Sequence, residues 1–138
     1  DRSGAREFFS LIARLKDQSD LILIAGNHDA EIKRRASKFN HFDLELHDSF
    51  ATARFEFHHG DCERKQSGRT QIVGHFHPAA TLRDGAGLRL KFPAFVQEGN
   101  CWILPAFSPW AAGTDREERE RSRTWLCTPQ RILLIDQE

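Results

Sequence analysis

Three stretches of the sequence set side chains of metal-ligand type directly after a short apolar run. Leu21 to Asp29 reads LILIAGNHD and delivers Asn27, His28 and Asp29. Thr52 to His58 leads into His59-Gly60-Asp61, and Gln71-Ile72-Val73 runs into Gly74-His75-Phe76-His77-Pro78. Neutral imidazole is the commonest metal ligand, and a mixed set of nitrogen and oxygen donors suits Zn, Mn or Fe better than a thiolate-selecting metal. A lone histidine after a strand is usually an ordinary surface residue. Three recurrences of apolar run, glycine and imidazole point to a common site. Asn-His-Asp after Gly26 also reads as a turn and helix N-cap with no ligand.

The elements that must carry these residues follow from periodicity. Ala5, Phe8, Phe9, Ile12 and Leu15 fall at three- and four-residue intervals, which predicts a helix from Ser3 to Lys16 with one apolar stripe. Leu21 to Ala25 predicts a short strand buried on both faces, so the opening is half of a parallel crossover. In open α/β sheets ligands collect outside the carboxyl ends of the strands, where Asn27 to Asp29 would lie. Residues 30–39 are rich in helix formers and carry Lys33, Arg34, Arg35 and Lys38 on a face expected to be solvated. Strict alternation predicts a strand from Thr52 to His58, with Ala53, Phe55 and Phe57 on the buried side and Arg54, Glu56 and His58 on the other. Further strands are expected at Gln71 to Val73, Leu88 to Val96, Cys101 to Leu104 and Arg131 to Ile135, with a tight reversal at Glu98-Gly99-Asn100. The charged run Asp115 to Arg123 reads as a loop with one exposed helical turn.

The bulk properties bound the partners. A chain of 138 residues with 39% hydrophobic content is enough for one compact domain, taken as residues 1–138. Twenty basic and twenty acidic residues cancel, which removes any global electrostatic case for nucleic acid or membrane and leaves only a local patch. Three cysteines without a CxxC pattern predict free thiols in a reducing compartment, hence a cytoplasmic location. No run approaches a transmembrane helix in length.

As an ordered set, GNHD at Gly26 to Asp29, HGD at His59 to Asp61 and GHFH at Gly74 to His77 resemble the third, fourth and fifth motifs of the calcineurin-like metallophosphoesterases. The stretch from Ile72 to Gly113 is similar to the bacterial DNA ligase-associated branch, in which GHxHP is followed by a Pro-x-Phe and a Leu-Pro-Ala-Phe. The resemblance implies an α/β fold, part of the family's αββα sandwich, and a metal-dependent phosphodiesterase that in full-length form is a DNA-processing nuclease. It implies two divalent ions, Mn first with Zn or Fe as alternatives, that stabilise the attacking and leaving oxygens of an in-line displacement. Asn27, His59 and His75 match ligands of one ion and His77 a ligand of the other, with His58 the runner-up for His59. His28 matches the catalytic histidine that donates to the departing ester oxygen, and Asp29 would orient it. The partners implied are a DNA substrate and an association with a DNA ligase, with no membrane.

The chain departs from the family pattern at its start. The Asp-x-His and Gly-Asp motifs that normally precede GNHD do not occur before residue 27, and Asp61 lies in the wrong order to replace the bridging carboxylate. The chain is therefore expected to be truncated at its N-terminus and to hold one ion or none. That leaves two other readings, a catalytically dead remnant or interaction module, and a nucleotide or sugar-nucleotide pyrophosphatase. An uncovered apolar face is expected where upstream elements would pack.

Overall fold

The structure, a computed structural model, describes residues 10–30, 46–62, 68–83, 85–108, 111, 113–115 and 122–135. Two compact units divide the chain at Asp48 and Ser49. In the first, residues 10–16 are helical, and of the two described members of the apolar stripe Ile12 is buried and Leu15 exposed. The helix stops as its charged loop begins: the Leu15 carbonyl accepts from the backbone N–H groups of Gln18 and Ser19, both at 3.0 Å. Strand β1 (Leu23–Ile24) pairs in parallel with β2 (Leu46–His47), and Ala25 N–H extends the ladder to the His47 carbonyl at 2.9 Å. The expected strand buried on both faces is thus shorter and more open, with Ile22 44% exposed. Among the described residues β1 has one strand neighbour, β2. The expected helix over residues 30–39 lies, apart from its first residue, outside the described residues, as do residues 3–9 of the first helix.

The second unit is built on strands β3 (Ser49–Ala51), β4 (Phe55–His58), β5 (Thr70–Val73), β6 (Pro78–Arg83), β7 (Arg89–Glu98), β8 (Cys101–Ile103), β9 (Thr114–Asp115), β10 (Ser122–Cys127) and β11 (Ile132–Ile135). Their main order is β11-β10-β7-β8-β5-β4-β3, with β6 attached to β7 and β9 to β6. β4, β5 and β8 run parallel, and the other pairings among the main strands are antiparallel. β7 serves three neighbours along its length: Arg89 to Pro93 pair with β6, whereas Ala94 to Glu98 pair with β10 and, from Val96 on, also with β8. The chain therefore shows the expected α/β class, with the described part dominated by sheet.

Three local expectations change. The strand expected from Thr52 begins at Phe55, because Thr52 to Phe55 form the turn of a hairpin with β3. Thr52 N–H donates to the Phe55 carbonyl at 2.8 Å, and Phe55 N–H donates to Thr52 Oγ1 at 3.0 Å. His58, placed by alternation on the polar side, is buried at the end of β4, whereas Phe55, placed on the buried side, is exposed. The charged run from Asp115 to Arg123 begins in β9 and ends in β10, with residues 116–121 outside the described set. β10 pairs with both β7 and β11 and carries Leu126, which is fully buried.

Val73, Val96 and Ile103 form the buried cluster under the parallel strands, with Cys101 packed against it. An open apolar groove of about 500 Å³ lies over Phe55, Ile72, Trp102, Trp125 and Ile132, where the two indole rings stack at 4.9 Å. Among the described residues, no helix is long and apolar enough to cross a membrane.

Val73→Ala removes buried methyls from the cluster and is expected to cost roughly 2 kcal/mol in a denaturant melt. Burial pushes the Cys127 thiol above its ordinary range, partly opposed by a backbone hydrogen bond from Phe95. The folded state thus keeps the Cys127 proton at a pH where the unfolded chain loses it, and stability falls as pH rises past the ordinary thiol range. At mildly alkaline pH, iodoacetamide should modify exposed Cys62 well before Cys127, read by mass spectrometry of the alkylated peptides.

Candidate functional site

Parallel pairing of β4, β5 and β8 brings three strand ends to one edge of the sheet. His58 pairs with Val73, and Val73 with Ile103, so the next residues, His59, Gly74 and Leu104, leave the sheet together. The ladder continues past the strands: Gly74 N–H donates to the His59 carbonyl at 3.0 Å, and Leu104 N–H to the Val73 carbonyl at 2.7 Å. Such an edge is where open α/β sheets collect ligands.

At this edge the imidazoles of His59 and His75 meet. His59 Nε2 and His75 Nδ1 lie 3.0 Å apart, with the rings edge-on at 72°. As neutral rings they form a hydrogen bond, one donating N–H and the other accepting, so the opposing tautomers are coupled. The ring that meets His75 belongs to His59; its neighbour His58 is 7% exposed within β4.

Two side chains of the GHFH turn hold an uncommon backbone. His75 has φ 48° and His77 φ 45°, in the left-handed region that non-glycine residues seldom enter. A three-residue turn closes around His75 through a 2.6 Å bond from Phe76 N–H to the Gly74 carbonyl. The His77 carbonyl accepts from Thr114 N–H at 2.8 Å, which ties the end of the turn to β9. Strain of this kind concentrates at functional sites, held by the surrounding structure.

Gly60 makes the approach of the two loops possible. Its φ is 105°, and a Cβ there would stand 3.2 Å from Val73 Cβ and 3.3 Å from the Phe76 ring. The glycine of HGD is thus fixed by backbone conformation and by contact with β5.

The third sequence-derived group lies in the first unit. Gly26 N–H donates to Asp29 Oδ2 at 2.8 Å, and Asp29 N–H donates to the Gly26 carbonyl at 3.1 Å. This reciprocal pair closes a turn whose exposed residues are Asn27 and His28. Asp29 therefore has a backbone partner within its own turn. Of the sequence-derived residues, the structure brings His59 and His75 into contact, puts His77 on the same turn as His75, and sets Asn27, His28 and Asp29 on a separate closed turn.

The donor chemistry suits a divalent ion in one respect. Two nitrogens bound at about 2.1 Å in adjacent positions at a right angle stand about 3.0 Å apart, which is the His59–His75 separation. Right angles belong to six-coordinate sites, of which two donors make a third. Among the described residues, no group of three His, Cys, Asp or Glu side chains converges to complete one. The loop after β8, Leu104 to Ser108, shares the edge but gave no ligand-type signal in sequence; Phe107, in that loop, is fully exposed.

Neither a family model nor a curated protein matches the chain. Among solved structures the fold is similar to the crystal structure of the Pseudomonas putida nuclease MPE, with a TM-score of 0.67 and 22% sequence identity. The likeness covers 89% of this chain and 57% of that one, so the chain spans little more than half the nuclease's length. At this identity the comparison shows a shared α/β fold.

Gly60→Ala puts a methyl group against Val73 and forces a left-handed alanine. The expected result is a loss of stability of about 1–2 kcal/mol by thermal melt, with the coupled His59 and His75 ring resonances displaced in a long-range nitrogen–proton NMR spectrum. Unchanged ring resonances would mean that Gly60 does not set the pair.

Proposed function

We propose that this chain carries part of a metal-dependent phosphodiesterase centre that acts on nucleic acid, with DNA as the substrate. The observation that carries the reading is the His59–His75 contact at adjoining ends of parallel strands, on a backbone held in the left-handed region. Support also comes from the fold shared with a nuclease and from the ordered GNHD, HGD and GHFH motifs.

In this reading His59 and His75, with Asn27, would hold one ion, and His77 would contribute to a second. Such ions supply a hydroxide at neutral pH and neutralise charge on the phosphoryl oxygens. The role of His28 would be to donate a proton or hydrogen bond to the departing ester oxygen, which requires it at a solvent-reachable position such as the tip of its turn. Asp29 would act by holding that turn closed through Gly26. Manganese is the first ion to test. Three free thiols support a cytoplasmic setting, and association with a DNA ligase belongs to the same reading.

A second reading, a non-catalytic module that holds one ion weakly or none, draws on the absence of a third converging ligand among the described residues. Elemental analysis after dialysis separates the two. One ion or fewer per chain together with no turnover supports the module, and two tightly held ions contradict it.

For the enzyme, hydrolysis of a small aryl phosphate diester by the full-length protein with added manganese is the assay. His75→Ala is expected to lower the rate at least ~100-fold, and a chelator to abolish it. His28→Ala should lower kcat by roughly 10²–10⁴-fold with little change in KM. Activity that survives both the chelator and His75→Ala would rule the reading out.

A further inference from the structure

The GHFH turn holds its two histidines by different means. His75 is half-buried, with its ring against those of His59 and Phe76 at centroid distances of 4.9 and 5.2 Å. His77 is exposed, so packing does little to fix its ring, and its place follows from a backbone held at φ 45°. Left-handed backbone at a non-glycine residue persists only where neighbouring structure imposes it.

That structure is β9. Thr114 N–H donates to the His77 carbonyl at 2.8 Å, and Thr114 and Asp115 pair in parallel with Pro78 and Ala79. The approach is close at Gly113, whose φ is 66°: a Cβ there would stand 2.7 Å from Ala79 Cβ and 3.3 Å from the His77 carbonyl oxygen. Yet β9 has two residues, shorter than most strands, and both are exposed. It needs a further hold.

Lys91 supplies it. The residue lies in β7, across β6 from β9, in register with Thr81 and two residues along β6 from the Ala79 that pairs with Asp115. Residues two apart on a strand share a face, as do residues paired across strands, so Lys91 and Asp115 stand on the same side of β6. Lys91 Nζ donates to the Gly113 carbonyl at 2.9 Å and lies 3.6 Å from Asp115 Oδ2. The ion pair is partly exposed at both ends and by itself worth little in water. The bond to the carbonyl is charge-assisted and stronger, and the two contacts tie both ends of residues 113–115 to one ammonium group.

We propose that Lys91 is a positioning residue for His77. It holds β9 against the end of the GHFH turn, and β9 holds the left-handed backbone from which the His77 ring projects. The metal-ligand role of His77 rests on the reading above, whereas the hold on its backbone does not. The His59–His75 contact has its own anchors, the bonds from Gly74 N–H to the His59 carbonyl and from Leu104 N–H to the Val73 carbonyl. Loss of Lys91 therefore loosens His77 and leaves the pair in place.

The test compares the full-length protein with Lys91→Met, which keeps the stem and removes the ammonium, and with Lys91→Arg, which keeps a charged donor. Amide hydrogen exchange, read by NMR without metal, should show the Thr114 N–H exchanging about tenfold faster in Lys91→Met, the scale of one charge-assisted hydrogen bond, with the Gly74 and Leu104 N–H groups unchanged. Zinc alone is then titrated while the histidine ring nitrogens are followed. In Lys91→Met the His77 ring should respond at about tenfold higher zinc than in the wild type, and the His59 and His75 rings at the same zinc as before. Lys91→Arg should restore both. Unchanged Thr114 exchange in Lys91→Met, or no restoration by Lys91→Arg, would overturn the proposal. So would equal acceleration at Gly74 and Leu104, which marks a general loss of stability. If zinc moves no histidine ring in the wild type, the metal reading falls, and Thr114 exchange still decides the role of Lys91.

Discussion

The parallel pairing at Val73 is the constraint on which the site depends. This one residue pairs with His58 on one side and Ile103 on the other, accepts the Leu104 N–H, and leaves 3.2 Å for a Cβ at Gly60. Its side chain is buried with Val96 and Ile103, so burial fixes the register. A slip by one residue would turn Val73 out of the cluster and carry His75 away from His59. The polar contact at the edge is thus specified by an apolar contact beneath it.

The GHFH turn converts that register into geometry. Its two histidines adopt left-handed backbone at a cost of roughly 1–2 kcal/mol each. The turn is held at Gly74, where the β5 ladder ends, and at His77, whose carbonyl bonds to Thr114. Both anchors lie in the same compact unit as His59. The strain is therefore confined to a few residues between fixed points, which suits a site that must offer imidazoles in one arrangement.

Much of this edge was legible in the sequence, because Gln71-Ile72-Val73 and the alternating run before Gly60 are short, strongly patterned and closed by glycine. The reversal at Gly99 and Asn100 was legible for the same reason: a glycine with φ 56° ends one strand of β-formers and begins another. β6 was missed because Pro78 reads as a turn residue and Ala79-Ala80 carries little hydrophobic signal, although proline is tolerated as the first residue of a strand. β10 was missed because Ser122 and Arg123 continue a charged run, and only Thr124-Trp125-Leu126 shows strand chemistry. Its place between β7 and β11 is set by long-range pairing that a local window does not contain. Thr52 carried the alternation one turn too far, since its side chain serves the hairpin. The same locality hid the exposure of Phe107, an aromatic that folding leaves in water.

The contact at the ends of β4 and β5 makes the His59 and His75 rings candidates for one ligand pair. Titration with manganese, followed by paramagnetic broadening of the histidine ring resonances, tests it most directly. His59 and His75 are expected to broaden together at the lowest ion concentrations, ahead of the other histidines. Broadening that reaches His47 or His58 first, or that separates His59 from His75, would contradict it.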